Sequence, residues 1–172
     1  MPNKENSIYW HYSIPDATAL NLQIESGYAR EKRKPDTRQS HFFAGRFENI
    51  YIDAERLPEL STLLQRVREY AGLILKVPHK NLRVGFWFNE MGPGHRTLEH
   101  SHDDDDELLS AVYYIRVPAH SGDLVLSALH EKIQVSPVAG QLLFFKPDLL
   151  HEVLENKSNE TRLSIGMNVG EP

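Results

Sequence analysis

The feature of this sequence that most constrains its fold is a series of short apolar segments in the second half of the chain. From Leu82 onward, about eight segments rich in β-branched and aromatic residues are separated by turn residues, as at positions 92–94 and 138–140. Short strands at regular spacing are typical of sandwiches and barrels, and jelly rolls, cupins included, have about eight strands. The sequence therefore predicts a mainly β fold with a jelly-roll core over residues 82–169.

The first half of the chain contains one strong helix signal. Between residues 57 and 75, apolar side chains recur at helical spacing and form one stripe, and Pro58 suits the first turn of a helix. A chain of 172 residues fits one domain. We therefore expect a single domain, residues 1–172, in which residues 1–81 supply at least one helix packed on a sheet.

Other parts of the first half give weaker signals. Residues 8–13 and 47–52 have the composition of strands. Residues 30–40 are basic and polar and contain a Pro-Asp pair, which predicts a loop. Residues 17–29 fit neither a helix nor a strand clearly, and both assignments stay open. Residues 40–49 have an unusual composition that suggests a role in substrate binding or assembly, although no mechanism follows from it.

Composition excludes several classes of protein and site. The chain has no cysteine, so disulfides, thiolate metal sites and cysteine nucleophiles are excluded. Its net charge of -5 argues against general nucleic-acid binding, which needs a basic surface. The polar N-terminus lacks the apolar core of a signal peptide, and no apolar run reaches membrane-spanning length. We expect a cytoplasmic monomer or homodimer with no nucleic-acid partner and no membrane association.

Residues 98–106 bring two imidazoles and five carboxylates into one short stretch. Such a group is costly to assemble without a cation, and imidazole and carboxylate together suit a divalent transition metal. In an extended chain, residues two apart face the same side, so His102 and Asp104 can reach one ion. His100 lies on the same face, which allows a second set of His100 and His102. The alternative is a solvated acidic loop with incidental histidines.

A further histidine lies at a matching place in the strand series. Residues 98–106 stand at the end of the second predicted strand, counted from Leu82, and His151 lies on the seventh. In a double Greek key, these two strands can lie side by side, although the sequence does not determine the pairing. His151 is therefore a candidate third ligand, with a buried core histidine as the alternative.

The order of these residues resembles that of a known family. His102-x-Asp104 is followed by His151 and then by Arg162-Leu163-Ser164. The segments at residues 109–115, 135–145 and 150–153 also match the family's pattern. This resembles the iron- and 2-oxoglutarate-dependent oxygenase superfamily, in particular its small bacterial and phage members and its prolyl-hydroxylase-like enzymes. The resemblance covers about residues 87–168 and implies a double-stranded β-helix.

The resemblance also implies cofactors and an activity. Members hold Fe(II) with two histidines and one carboxylate on one face of the ion, which leaves positions open for 2-oxoglutarate and oxygen. Arg162 stands where the family binds the far carboxylate of 2-oxoglutarate with two parallel hydrogen bonds. Ser164 and Tyr114 stand where hydroxyls contact the same carboxylate. The implied enzyme is a dioxygenase that hydroxylates a substrate and releases succinate and carbon dioxide, with no catalytic residue beyond the metal ligands.

The register of the metal ligands is open on sequence grounds. Counting back from residues 110–114 favours His102 and Asp104, whereas counting forward from Trp87-x-Asn89 favours His100 and His102. We predict His102, Asp104 and His151, because a carboxylate offsets the charge of the ion. His100 then lies behind the ligands or faces the substrate.

Pocket lining and substrate are less constrained. Trp87 and Asn89 share one strand face and are candidates to line the pocket, although Trp87 also fits a core position. Asp103, Asp105 and Asp106 face solvent or attract a basic substrate. The substrate itself, a small molecule or a protein side chain, is not encoded in any motif.

Two other functions fit the same residues. A cupin-type metal enzyme that uses His100, His102 and His151 without 2-oxoglutarate would not need Arg162. A ligand-binding jelly roll without catalysis would carry a structural metal or none.

Overall fold

The structure is a computed structural model of the chain, and it describes residues 8–43, 45–102, 106–128 and 131–172. Two α-helices lie in the first half, α1 (Ala17–Glu31) and α2 (Ser61–Leu75). Single turns of 3₁₀ helix cover Ala54–Arg56, Pro58–Leu60 and His79–Asn81. No helix in these described ranges combines the length and the apolar character that crossing a membrane requires.

Strands make up most of the remaining structure. In chain order they are β1 (Tyr9–Ser13), β2 (Arg38–Phe43), β3 (Arg46–Tyr51), β4 (Arg83–Met91), β5 (Thr97–His100), β6 (Glu107–Arg116), β7 (Leu124–Ala128), β8 (Glu131–Val135), β9 (Gln141–Phe145), β10 (Leu150–Val153) and β11 (Arg162–Gly170). Eight of these described strands, β4 to β11, follow Leu82. The predicted series of eight strands is confirmed.

Within the described part of the chain, the strands form two antiparallel sheets. The larger sheet has seven strands in the order β1-β9-β6-β11-β4-β3-β2, and the smaller has four in the order β5-β10-β7-β8. From β4 onward the chain passes repeatedly between the two sheets in the manner of a jelly roll, and β7 and β8 form a hairpin within the smaller one. The strands of the first half, β1, β2 and β3, extend the larger sheet at both of its edges. The predicted mainly β fold is confirmed.

The two faces of the larger sheet have different roles because side chains alternate along each strand. On β11, Leu163, Ile165 and Met167 belong to the core that also contains the buried stripe of α2. Arg162 and Ser164 therefore point the other way, toward the smaller sheet. The prediction that the helix packs on a sheet is confirmed, and both helices cover the outer face of the larger sheet. This arrangement leaves the inner face available for a site.

Three predictions for the first half need adjustment. Residues 17–29, left open above, form most of α1, which buries Ile24 and Tyr28 and exposes Leu22. The helix predicted from residue 57 begins at Ser61, after the 3₁₀ turn opened by Pro58. The basic loop predicted over residues 30–40 is shorter, since α1 continues through Glu31 and β2 begins at Arg38.

Candidate active site

The histidines of the predicted metal site meet on the smaller sheet. Strands β5 and β10 are antiparallel neighbours, and His100 lies directly opposite His151. His102 follows the end of β5, and its backbone N–H donates to the carbonyl of Pro147 at 2.9 Å. The segment before β10 therefore holds His102 close to the other two imidazoles. The two strands lie side by side, a pairing that their places in the strand order allow but that the sequence does not determine.

The three imidazoles form a compact group. One ring nitrogen from each of His100, His102 and His151 lies within 4.8 Å of the others. The ring centroids are 4.3 Å apart for His100 and His151, and 5.1 Å apart for each pair that includes His102. Bonds from histidine nitrogen to a transition metal are about 2.1 Å long. The three nitrogens therefore converge on one position, and they have to move closer together to surround one ion.

Hydrogen bonds define which nitrogen of two imidazoles is available. Nδ1 of His100 lies 2.8 Å from the carbonyl of Leu98, and Nδ1 of His151 lies 3.0 Å from the carbonyl of Leu149. A carbonyl only accepts, so in both rings Nδ1 carries the proton and Nε2 keeps its lone pair. Both side chains are thus in the tautomer that presents Nε2 to a metal.

Burial keeps His151 neutral. Its side chain is buried, and desolvation lowers its pKa to about 4, against a smaller opposing effect of the hydrogen bond to Leu149. The neighbouring imidazoles of His100 and His102 lower the pKa further. At neutral pH the ring therefore needs to lose no proton before it binds a cation.

The predicted carboxylate ligand, Asp104, lies outside the described residues, as do Asp103 and Asp105. Asp106 is described and exposed, and its carboxylate pairs with the guanidinium of Arg83. Of the two ligand sets proposed from the sequence, the structure brings together His100, His102 and His151, and describes only His102 and His151 of the other.

A cavity of about 680 Å³ opens beside the three histidines. Tyr114 and Ser164 line it from the larger sheet, and Trp87 and Asn89 line it from the neighbouring strand β4. The indole of Trp87 lies flat against Gly166, where an added Cβ would come within 2.5 Å of the ring. Its ring centroid lies 5.8 Å from that of His102. Trp87 is therefore a wall of the cavity next to the histidines, not a core residue.

Arg162 is a buried cation at the inner end of this region. It is 2% exposed, and its Nη1 donates to the carbonyls of Gly122 at 2.7 Å and Ser121 at 3.4 Å. Within the described residues, its Nε has no hydrogen-bond partner and its guanidinium forms no ion pair. A buried charge without a counter-charge is costly, so this position suits an anionic ligand.

Tyr114 and Ser164 separate Arg162 from the open cavity. The guanidinium carbon of Arg162 lies 5.7 Å from the centroid of the Tyr114 ring. Ser164 lies two residues along β11, on the same face, and is buried. Burial raises the pKa of Tyr114 to about 12, so its hydroxyl stays protonated and can donate. The three side chains can together bind a carboxylate.

The outer part of the cavity is built by residues that the sequence did not assign. The hairpin of β2 and β3 contributes His41, Phe42, Glu48, Asn49 and Tyr51. Its backbone is unusual, since His41 has a positive φ of 58°, a region that side chains other than glycine rarely adopt. The composition of residues 40–49 was the one sequence signal here. It gave no chemistry, because these side chains reach the cavity only through the pairing of β3 with β4.

Several solved structures share this fold. A prolyl-4-hydroxylase from Pseudomonas putida is 22% identical, with a TM-score of 0.73 over 97% of this chain and 94% of that one. A prolyl hydroxylase from Trichoplax adhaerens, in complex with a hypoxia-inducible-factor peptide, is 12% identical, with a TM-score of 0.71 over 96% and 84%. EvdO2 from Micromonospora carbonacea, complexed with 2-oxoglutarate, is 12% identical, with a TM-score of 0.70 over 96% and 86%.

The sequence itself gives the family. No curated protein matches it, but residues 86–170 match the 2OG-Fe(II) oxygenase superfamily. This range contains the three histidines, Arg162, Ser164 and Tyr114. Through residues 86–170 the chain belongs to the 2OG-Fe(II) oxygenase superfamily, and it is an oxidoreductase whose cofactors are iron(II) and 2-oxoglutarate.

Proposed function

We propose that this protein is a hydroxylase that couples the oxidative decarboxylation of 2-oxoglutarate to the oxidation of a substrate. Oxygen and 2-oxoglutarate are consumed, and one oxygen atom enters the substrate while the other enters succinate as carbon dioxide leaves. The main support is that a cluster of three histidines lines the cavity, and that a buried arginine without an acidic partner in the described residues lies beside Tyr114, which also lines it.

We assign the metal to His100, His102 and His151. Their nitrogens lie within 4.8 Å of one another, and two of the rings are held in the tautomer that frees Nε2. When bound, the iron supplies oxygen activation. Asp104, the ligand predicted from the sequence, is the alternative to His100.

We assign the far carboxylate of 2-oxoglutarate to Arg162, with hydroxyls from Ser164 and Tyr114. Arg162 is fixed by the carbonyls of Ser121 and Gly122, so its guanidinium is already oriented before a ligand arrives. A hydrogen bond to a charged group contributes about 1.5–3 kcal/mol. Neutralising this buried cation adds a further reason for the cofactor to bind here.

Apolar side chains form the remaining walls of the inner cavity. Val112, Leu124, Phe145 and Val153 supply apolar surface around the histidines. Phe145 packs edge-on against His151, with ring centroids 4.8 Å apart. An apolar lining lowers the local dielectric constant, which strengthens the electrostatic contacts to the cofactor.

The test of this function is the visible charge-transfer band of the Fe(II)–2-oxoglutarate chelate, recorded without oxygen. The wild-type protein should show the band, His151→Ala should lose it, and Arg162→Ala should need more 2-oxoglutarate to develop it. His11→Ala, which removes an exposed histidine from β1, should behave like wild type. Iron binding without any band would contradict the proposal and favour a cupin-type enzyme that does not use 2-oxoglutarate.

A further inference from the structure

We infer that Asn168 determines substrate specificity by binding an uncharged amide group of the substrate. This inference rests on the proposed function, because the residues assigned to iron and 2-oxoglutarate define which end of the cavity receives the substrate. Asn168 lies on β11 and lines the cavity beside the three histidines. It is not among the residues assigned to the metal or to 2-oxoglutarate.

The position of Asn168 along β11 places it on the substrate side of the metal. The inner face of this strand presents every second residue. Ser164 is assigned to 2-oxoglutarate, and Gly166 follows it, covered by the indole of Trp87, whose ring centroid lies 5.8 Å from that of His102. Asn168 is the next residue on this face, about 13 Å along the strand from Ser164. It therefore lies beyond the histidines, away from the far carboxylate of the cofactor.

The neighbours of Asn168 in the sheet leave space around its side chain. Its partner on β4 is Gly85, where an added Cβ would meet only the backbone carbonyl of Asn168, at 4.0 Å. Its partner on β6 is Ser110, which lines the same cavity. The Ser110 hydroxyl donates to Oε1 of Glu107 at 2.6 Å, so its proton is already used. Neither neighbour supplies a donor to the Asn168 side chain.

The side-chain amide of Asn168 has no hydrogen-bond partner among the residues that the structure describes. Its Oδ1 is buried and accepts no hydrogen bond, and its Nδ2 donates none. Buried polar groups are almost always paired, because an acceptor without a donor is costly. A primary amide carries an acceptor and a donor side by side. A second amide satisfies both, since its N–H donates to Oδ1 while its carbonyl accepts from Nδ2.

The charged side chains of the cavity lining also favour an uncharged substrate group. Among the described lining residues, Glu48 and Glu99 carry a formal charge at neutral pH. Glu48 is paired with Arg46 at 3.1 Å, and Glu99 with Lys132 at 3.3 Å. A charged substrate group would therefore meet no unpaired counter-charge in the described lining. An amide would meet complementary groups at Asn168.

Two sources can supply the amide, a free carboxamide or a backbone amide of a polypeptide. The test measures binding to the anaerobic Fe(II)–2-oxoglutarate complex through the fluorescence of Trp87, and Trp10→Phe removes the other tryptophan. The carboxamide probe is L-glutamine, compared with L-glutamic acid γ-methyl ester. The backbone probe is acetyl-L-alanine methylamide, compared with methyl O-acetyl-L-lactate. Each ester keeps the shape of its amide and lacks the N–H donor.

At least one amide probe should bind about fivefold more tightly than its ester, because the ester cannot donate to Oδ1 of Asn168. The probe with the larger preference identifies the source of the amide. Asn168→Leu should abolish the preference, since leucine has a similar shape and no polar group. Asn81→Leu, at an exposed position of a 3₁₀ turn, is the matched control and should keep the preference.

Thermal melting tests separately whether Asn168 serves folding. Asn168→Leu should not lower the melting temperature, because it breaks no hydrogen bond within the described residues. A fall of several degrees relative to Asn81→Leu would show that the amide is held for stability and would overturn the inference.

Three binding results would also overturn it: equal binding of amide and ester, a preference that survives in Asn168→Leu, or no saturable binding of either amide probe. The chelate band distinguishes such a failure from a failure of the proposed function. If the band is present and the amide preference is absent, only the role of Asn168 is wrong. If the band itself is absent while iron is bound, the proposed function is wrong.

Discussion

At the scale of single residues, Arg162 is the side chain whose environment is most specific. It is buried, two backbone carbonyls fix one of its nitrogens, and no ion pair neutralises it within the described residues. A side chain kept for packing alone would be cheaper as an apolar residue. Its environment is explained by an anion that arrives from outside the chain.

Arg162→Ala should weaken 2-oxoglutarate binding about tenfold or more, because charge-assisted hydrogen bonds of about 1.5–3 kcal/mol are lost. Arg162→Lys should recover part of the affinity, since lysine keeps the charge and loses the planar pair of donors. The affinity is measured by titrating the anaerobic Fe(II) protein with 2-oxoglutarate. Arg116→Ala, at an exposed arginine of β6, is the control, and equal affinities for Arg162→Ala and this control would contradict the role of Arg162.

The metal ligands can be separated by counting bound iron. His100→Ala and His151→Ala should each lower the bound Fe(II) per chain, because each removes one of three converging nitrogens. Asp104→Ala should retain iron if the ligand set is the three histidines. Full iron binding in His100→Ala with loss in Asp104→Ala would instead establish His102, Asp104 and His151.

At the scale of elements, two loops hold the strands that carry the site. Asn156, in the loop between β10 and β11, is 1% exposed, and its Nδ2 donates to the carbonyls of Met91 at 2.9 Å and Glu160 at 2.8 Å. Its backbone N–H donates to the carbonyl of His95 at 2.8 Å, in the loop before β5. Through its side chain and its backbone N–H, Asn156 therefore connects the end of β4 and the segment before β5 to the loop before β11.

Asn156→Ala should lower the free energy of unfolding by about 2–3 kcal/mol, since it removes the buried donor to the carbonyl of Met91 and the Oδ1 that accepts from Ser158. Chemical denaturation monitored by circular dichroism measures this change. Asn81→Ala, at an exposed position of a 3₁₀ turn, should change the stability little. Similar stabilities for the two variants would show that the Asn156 bonds are not stabilising.

The sequence predicts elements well where local pattern and burial agree. The strands after Leu82 and the apolar stripe of α2 follow from periodicity alone. The places of the two metal-site strands in that series allow them to be neighbours, and only the structure shows that they pair. The pattern of α1 misleads because Leu22 is exposed while Asn21 is buried against β6, where its Nδ2 donates to the carbonyl of Ile115 at 2.9 Å. The hairpin of β2 and β3 reaches the cavity only through tertiary pairing, which no local pattern encodes.

At the scale of the whole molecule, charges join the helices to the rest of the chain. The Glu31 carboxylate, at the end of α1, lies 2.8 Å from Lys34 and 2.9 Å from both Arg30 and Arg56. Hydrogen bonds from Lys34 and then Arg30 lower the pKa of Glu31 to about 2, from an ordinary value of 4.5. Arg56 belongs to the turn that leads to α2, so the carboxylate connects the two helical segments.

This carboxylate should make folding stability depend on pH in a defined window. Because the folded protein lowers the pKa of Glu31, its contribution is complete above about pH 5 and is lost as the pH falls toward 2. Glu31→Gln should therefore flatten the fall in unfolding free energy between these values, as measured by denaturation at a series of pH values. Glu155→Gln, at an exposed position, should keep the wild-type slope, and an equal slope for Glu31→Gln would contradict this role.

The two sheets carry different halves of the cofactor site. His100 and His151 lie on strands of the smaller sheet, whereas Arg162, Ser164 and Tyr114 lie on strands of the larger one. A dicarboxylate held by both sets of residues would therefore connect two layers that otherwise meet through side-chain packing. Metal and 2-oxoglutarate together should raise the melting temperature by more than the sum of their separate effects. The melting temperature can therefore show whether the cofactors connect the two layers, and this measurement needs no knowledge of the substrate.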